Sequence, residues 1–507
     1  MKKLKICEKL CHLVGISSSS SSSNNHHTKR KISSAHFGFP FVVAVSVLVL
    51  TATILFMFLS VSRPSPLNPI VDGNNVIRFY HRFSFPHWPF YTSNSSTSNI
   101  ITGDNTLAMS NFSSSHSSCG RMSCDEKKHG NGDDSSNYGE CDMFDGEWTK
   151  VEKRKPYYPP GSCPFIKPEP FACHENGRPD DQFLQWQWQW SSKQTTANCN
   201  NIPRSLNATD FLERLRGKRL VFVGDSLNRN MYVSLVCILW NVIPDKSRVF
   251  RPTGSTPFES RGDMSLVFED YNCTVVFVWT AFLVEETNSP VRRSQTASKP
   301  KPKTLRLDVI DEVASSVYRD ADILVFGSWH WWVKAKTNNG INYFQEGDYL
   351  YPKMEIDKAY KKALNTWRRW IDKHIDANKT QVLFRGHSLS HYVGGRWNTG
   401  GHCHLEREPI MSNETYVHPS PSQAKILEDV LGRTKTPVMY LNISKLTYYR
   451  SDGHPSLYAK NYTAKERIAV LEIQDCSHWC LPGVADTWNE LLYASLLKAG
   501  KGSFGRL

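Results

Sequence analysis

Leu220-Val221-Phe222-Val223-Gly224-Asp225-Ser226-Leu227 is an apolar run that stops at Gly-Asp-Ser, and Asn228–Trp240 behind it has helical spacing. A strand that gives way to a helix at a serine presents that hydroxyl at the strand tip. The plain structural alternative is a helix cap, a position that Ser and Asp both favour. The similar Gly262-Asp263-Met264-Ser265 lacks the preceding strand and the following helix. Outward from Gly224 the pattern repeats. Thr274–Trp279, Ile323–Phe326, Gln381–Phe384 and Val438–Ile443 read as strands, and Met354–His374, Ser422–Leu431 and Asp486–Leu497 as helices. Alternating strands and helices predict a mostly parallel α/β sheet, whose site lies beyond the carboxyl ends of the strands, where Ser226 falls.

A serine needs a base to take its proton and a carboxylate to orient that base. Asp475-Cys476-Ser477-His478-Trp479-Cys480 offers both three residues apart. Together the two stretches point to acyl transfer through Ser226, His478 and Asp475. A zinc site built on Asp475, Cys476, His478 and Cys480 is the rival reading. Disulfides are the simpler fate of those cysteines in an oxidising lumen, and no metal is expected.

The compartment follows from the N-terminal half. Phe39 to Val61 is a run of 23 residues without a charge, enough to span a bilayer as a helix. Lys29, Arg30 and Lys31 precede it and Arg63 alone follows closely, so the N-terminus is expected in the cytosol. A cleaved signal peptide fits less well, since no small-x-small site follows the run. Eleven of the 13 cysteines lie after the run, as do sequons at Asn94, Asn111, Asn207, Asn272, Asn378, Asn413, Asn442 and Asn461. The 507 residues carry a net charge of +13, of which +6 belongs to residues 1–36. The remainder is a mild basic excess, compatible with an acidic polymer and equally with an ordinary surface. The sequence divides into a cytosolic tail (1–36), a transmembrane anchor (37–62), a Ser-, Asn- and Gly-rich lumenal stem (63–138) and a lumenal catalytic domain (139–507). Arg292 to Lys303 reads as a solvated basic loop, and the alternating tryptophans at Trp186, Trp188 and Trp190 as strand core rather than sugar platform.

Gly224-Asp225-Ser226-Leu227-Asn228-Arg229-Asn230 together with Asp475-Cys476-Ser477-His478-Trp479-Cys480-Leu481-Pro482-Gly483 resembles the plant trichome birefringence-like family, Golgi polysaccharide O-acetyltransferases related to SGNH/GDSL hydrolases. Asn176–Asp180, Phe384-Arg385-Gly386-His387-Ser388, Asn398–Cys403 and Asp486–Glu490 add to the likeness, which covers about residues 139 to 500. The resemblance implies an α/β fold: an SGNH/GDSL-hydrolase-like mostly parallel sheet flanked by helices, with a disulfide-stapled second lobe behind the N-terminal transmembrane helix. Ser226 would carry the acetyl group as an ester, His478 would act as base and then acid, and Asp475 would orient it. Oxyanion or substrate contacts would come from the Ser226 N–H and from among Asp225, Arg229, Asn230, His330 and Arg385. The family pattern pairs Cys141 with Cys199, Cys163 with Cys237, Cys173 with Cys480, and Cys403 with Cys476. Cys119, Cys124 and Cys273 are left over. Gly327-Ser328-Trp329-His330-Trp331-Trp332 departs from the family's Asn-Thr-Gly-His-Trp-Trp, which leaves the second oxyanion donor open.

The expected protein is a single-pass type II Golgi membrane enzyme. Its acceptor would be a cell-wall polysaccharide, pectin or a hemicellulose such as xylan. It would hold no bound cofactor and would draw acetyl from acetyl-CoA or from a donor-supplying membrane protein. Nucleic acid is not an expected partner. An acetyl esterase, or a non-catalytic protein bridging pectin to other wall polymers, are the competing classes.

Overall fold

The computed structural model describes residues 141–167, 170–190, 202–252, 262–287, 303–410 and 415–505. The expected tail, anchor and stem lie outside these residues, as do Cys199 and most of the basic loop. Among the described residues no helix is long and apolar enough to cross a membrane.

In chain order the strands are β1 (Gly146–Lys150), β2 (Trp186–Trp190), β3 (Arg219–Gly224), β4 (Val249–Phe250), β5 (Met264–Phe268), β6 (Cys273–Trp279), β7 (Glu286–Thr287), β8 (Thr304–Arg306), β9 (Ile323–Gly327), β10 (Phe344–Glu346), β11 (Tyr349–Leu350), β12 (Gln381–Arg385) and β13 (Val438–Leu441). The main sheet has seven strands in the order β13-β12-β9-β3-β6-β5-β4. Its first five strands run parallel, and β5 and β4 close one edge antiparallel. β3, which carries the opening motif, sits at the centre between β9 and β6. Each expected strand and helix is present, with ends shifted by one or two residues.

The reason β3 reads as continuous apolar sequence is visible in its neighbours. Successive side chains leave a strand on opposite faces. Leu220 and Phe222 enter one core, with Met231, Leu235 and Leu239 of the helix Ser226–Asn241 and Leu491 and Leu492 of the helix Val484–Ala499. Val221 and Val223 enter the other, with Trp367 and Ile371 of the helix Ile356–His374. A parallel strand covered on both faces needs apolar residues at every position.

β1 and β2 pair antiparallel with Trp148 opposite Trp188. Trp188 and Trp190 are buried, so this tryptophan ladder is core, as expected. The remaining four strands form a small sheet, β11-β10-β8-β7. The described chain packs within a single compact unit. Its disulfides tie the segment before β3 to the helix Ser226–Asn241 (Cys163–Cys237), that segment to the C-terminal loop (Cys173–Cys480), and two loops to each other (Cys403–Cys476). Cys141 is also disulfide-bonded, to a partner outside the described residues. Cys273 is free and buried, and burial pushes its thiol up to about 12.

Candidate active site

The site grows from the point where β3 and β9 end side by side. Gly224 pairs with Gly327 across the sheet, and a Cβ on Gly224 would lie 1.9 Å from the Gly327 carbonyl oxygen. A Cβ on Gly327 would meet Asn228 Oδ1 at 2.5 Å and Arg385 Nη2 at 2.9 Å. Two glycines therefore let the strands stay close while buried polar side chains fill the space just beyond them.

Asp225, not Ser226, caps the helix Ser226–Asn241. Its Oδ1 accepts from the backbone N–H of Leu227 (3.0 Å) and Asn228 (3.3 Å). The same carboxylate is fully buried, pairs with Arg385 Nη2 at 3.0 Å and accepts from the Trp329 N–H at 3.1 Å. Arg385, at the end of β12, donates from Nε to Asn228 Oδ1 (3.1 Å), and Asn228 Nδ2 donates to the carbonyls of Val223 and Val325, both at 2.9 Å. Asp225 and Arg385 were expected among oxyanion or substrate contacts. The structure instead places both in this closed network, which fixes the ends of β3, β9 and β12.

Freed from capping, Ser226 occupies the first helical position. Its Oγ lies 2.7 Å from His478 Nε2, and His478 Nδ1 lies 2.7 Å from Asp475 Oδ2. Nδ1–H donates to the carboxylate, so Nε2 is the acceptor for the serine hydroxyl. Asp475 Oδ1 also accepts from the backbone N–H of Ser477 (3.2 Å) and His478 (3.0 Å). Burial raises the Asp475 carboxyl, but His478 and these donors outweigh it and hold it well below the usual carboxylate range. It stays an anion able to stabilise an imidazolium.

Residues Asp475–Cys480 form no helix or strand, so other parts of the chain hold them. Asn230 sits one helical turn after Ser226 and therefore on the same face. Its Oδ1 accepts from the Trp479 N–H (2.8 Å) and its Nδ2 donates to the Trp479 carbonyl (3.2 Å). Both ends of that amide are engaged on the backbone beside His478, so Asn230 positions the segment. Asp475 and Ser456 exchange two backbone hydrogen bonds, and the Cys480 N–H donates to the Gly453 carbonyl. Cys476 and Cys480 are both oxidised, which removes them as zinc ligands. Among the described residues no cluster of His, Cys, Asp and Glu is arranged to hold a metal.

Arg229 lies against Trp279, its guanidinium 5.8 Å from the ring centroid. His330 is brought to the same end of the sheet, with Nδ1 4.0 Å from Asp225 Oδ2 and its ring centroid 5.2 Å from that of His387. Burial, aided by Arg385 and His478 and opposed by Asp225, pushes His330 down to about 4, so it is a neutral imidazole near neutral pH. Asp486, a further buried carboxylate, is engaged elsewhere. It accepts from Ser234 Oγ at 2.6 Å and from the Gly483 N–H at 3.0 Å, and burial pushes it up to about 7. Asn228 and His454 were missed by sequence reasoning. Asn228 had a signal, since it follows the serine inside the motif, but His454 sits 24 residues before His478 with no periodicity linking them.

A serine at a central strand tip, hydrogen-bonded to a histidine that a carboxylate orients, is an arrangement suited to acyl-group chemistry on an α/β fold, and the family comparison fits it. Residues 202–495 match PC-Esterase, a GDSL/SGNH-like acyl-esterase family found in Pmr5 and Cas1p, and residues 139–192 match the PMR5 N-terminal domain. From Arabidopsis thaliana, protein trichome birefringence is 49% identical over 358 residues, covering 70% of this chain and 56% of that protein. Trichome birefringence-like 1 is also 49% identical over 358 residues, covering 70% and 61%. Trichome birefringence-like 6 is 45% identical over 358 residues, with 71% of each chain covered. The chain belongs to the trichome birefringence-like family. It spans less than two thirds of the length of the first two relatives.

Proposed function

We propose that the protein transfers acetyl groups to hydroxyls of a plant cell-wall polysaccharide through an acetyl-Ser226 intermediate. The observation that carries this is the continuous hydrogen-bond chain Ser226 Oγ–His478 Nε2 and His478 Nδ1–Asp475 Oδ2, 2.7 Å at each step. In the first half, Ser226 Oγ attacks the acetyl carbonyl while His478 takes its proton. The donor's leaving group departs with that proton, and the acetyl ester remains on Ser226. In the second half, a sugar hydroxyl gives its proton to His478 and attacks the ester, and the proton returns to Ser226. Asp475 stabilises the imidazolium that forms twice. The backbone N–H of Ser226, at the start of a helix, has no intrahelical carbonyl to meet and would donate to the tetrahedral oxyanion. His330, a neutral imidazole at the same sheet end, and Arg229 are the side chains proposed for the remaining oxyanion or substrate contacts.

The same geometry would run an acetyl esterase if water replaced the sugar hydroxyl, a reading favoured by the acyl-esterase description of the matched family. Pectin or a hemicellulose such as xylan is the proposed acceptor, with acetyl-CoA or a membrane-supplied acetyl as donor. The proposed setting is the Golgi membrane, with residues 1–36 cytosolic, 37–62 spanning, 63–138 as stem and 139–507 in the lumen. The test is to incubate the full-length protein with labelled acetyl donor and deacetylated xylan or pectin oligomers. Acetylated oligomers, together with a Ser226 peptide heavier by one acetyl group, are expected. Acetate release from an acetylated polymer without transfer would establish the esterase. No acetyl on Ser226 under donor excess would overturn both.

A further inference from the structure

Behind the His478 backbone lies a second histidine system. His391 Nε2 is 2.8 Å from the Tyr448 carbonyl oxygen, His391 Nδ1 is 2.7 Å from His454 Nε2, and His454 Nδ1 is 2.6 Å from the carbonyl oxygen of His478. A carbonyl only accepts, so each outer contact requires an N–H on the histidine. The central contact joins two ring nitrogens and needs one further hydrogen between them. Three N–H groups are required, and two neutral imidazoles possess two. With only two, a pair of nitrogen lone pairs would face each other at 2.7 Å.

We propose that His391 and His454 share a third N–H proton and that this singly charged pair is a positioning device for His478. Part of the surroundings favours a cation. The indole of Trp479 lies over His454 with ring centroids 4.1 Å apart, and it meets His391 edge-on at 6.1 Å. Asp452 faces His391, and Asp475 faces His454. Burial, first, and then repulsion from His391 pull His454 well below the ordinary histidine range, and burial lowers His391 as well, with Arg450 near His391 and His478 near His454 adding to this; the hydrogen count calls for the third proton in spite of it. Arg178 reaches the His454 carbonyl at 3.1 Å and is itself paired with Asp180. The pair links the Tyr448 carbonyl, at the end of the helix Ser444–Tyr448, to the loop that carries the base. The positioning role rests on the acyl-transfer reading; the proton count does not.

The test uses the full-length chain and compares wild type with His391→Gln and His391→Leu. A glutamine amide can still donate to the Tyr448 carbonyl, so His391→Gln keeps that hydrogen bond without the charge. If the folded pair holds a proton above the ordinary histidine pKa of about 6.5, stability from it is present below that value and lost as pH rises. The thermal midpoint of wild type relative to His391→Gln should therefore fall between about pH 6.5 and 8.5. A flat or rising difference, the result expected from burial alone, overturns the proposal. Should His391→Gln fail to fold, ring-¹⁵N-histidine spectra of wild type decide. A strongly downfield proton correlated with two imidazoles supports the pair, and its absence refutes it. Labelling of Ser226 by a fluorophosphonate reads the positioning. A rate about tenfold lower in His391→Leu and near wild type in His391→Gln is expected; equal rates in all three overturn the positioning role. If wild-type Ser226 does not react at all, the acyl-transfer reading fails, while the thermal slope still judges the pair.

Discussion

The nucleophile and its base are held in opposite ways. Ser226 is fixed by regular structure: a strand buried on both faces, two glycines in contact, an Asp225 cap and a helix. His478 lies in irregular chain held by Asn230, Ser456, Gly453, His454 and two disulfides, contributed by segments spread over more than 300 residues. Local sequence sets the strand, cap and helix that present the serine. The base is placed by parts of the chain that meet only after folding, so damage at a distance should reach it first.

The sharpest break in this comparison is Ser226→Ala, which removes the hydroxyl and leaves the backbone, side-chain and disulfide supports of the base intact. Turnover should fall on the order of 10⁴- to 10⁶-fold with the melting temperature nearly unchanged, as measured by acetyl transfer beside thermal unfolding. Next, Arg385→Met strands the Asp225 carboxylate, buried and unpaired, at the nucleophile's own support. A loss of about 3–5 kcal/mol in denaturant unfolding is expected. On the other side, Cys403→Ser with Cys476→Ser opens a 73-residue separation beside the base. Chain entropy alone puts the loss at about 4 kcal/mol. Here kcat should fall well beyond the folded fraction, whereas in Arg385→Met the two should fall together.

A smaller effect tests the link between the two regions. Asn230→Ala deletes two hydrogen bonds to the Trp479 backbone and leaves both groups buried, a loss of about 2–3 kcal/mol with a drop in kcat larger than any change in KM. The smallest effect is in pH. The Asp475 carboxyl is held below its usual range, so its stabilisation is complete above the unfolded value of about 3.9 and disappears as pH falls below it. Acid titration of the melting temperature should show a steeper fall for wild type than for Asp475→Asn, and equal slopes would contradict the pairing.

The α/β class and the central strand were readable because they depend on short-range pattern: apolar runs and a strand-to-helix junction. The Asp475–His478 spacing is local too, but its meeting with Ser226, 252 residues away, is made by the tertiary fold. Asp225, adjacent to the serine, and Arg385, in a stretch carried by the resemblance, were both expected at the chemistry. Their burial in one ion pair appears only when β3 and β12 enter the same sheet. Asn230 shows the boundary most clearly. Its position one turn from Ser226 was fixed by the sequence, yet what it would touch was not.

The sequence by itself determined which residues could be nucleophile, base and carboxylate, because those roles follow from side-chain chemistry and local periodicity. Only the tertiary structure decided that Asp225 caps the helix, that Asn230 grips the Trp479 backbone, and that His391 and His454 meet behind His478. Those contacts join residues 63 to 249 positions apart or compete for one helix end. Their outcome depends on how the whole sheet brings its loops together, which no local pattern encodes.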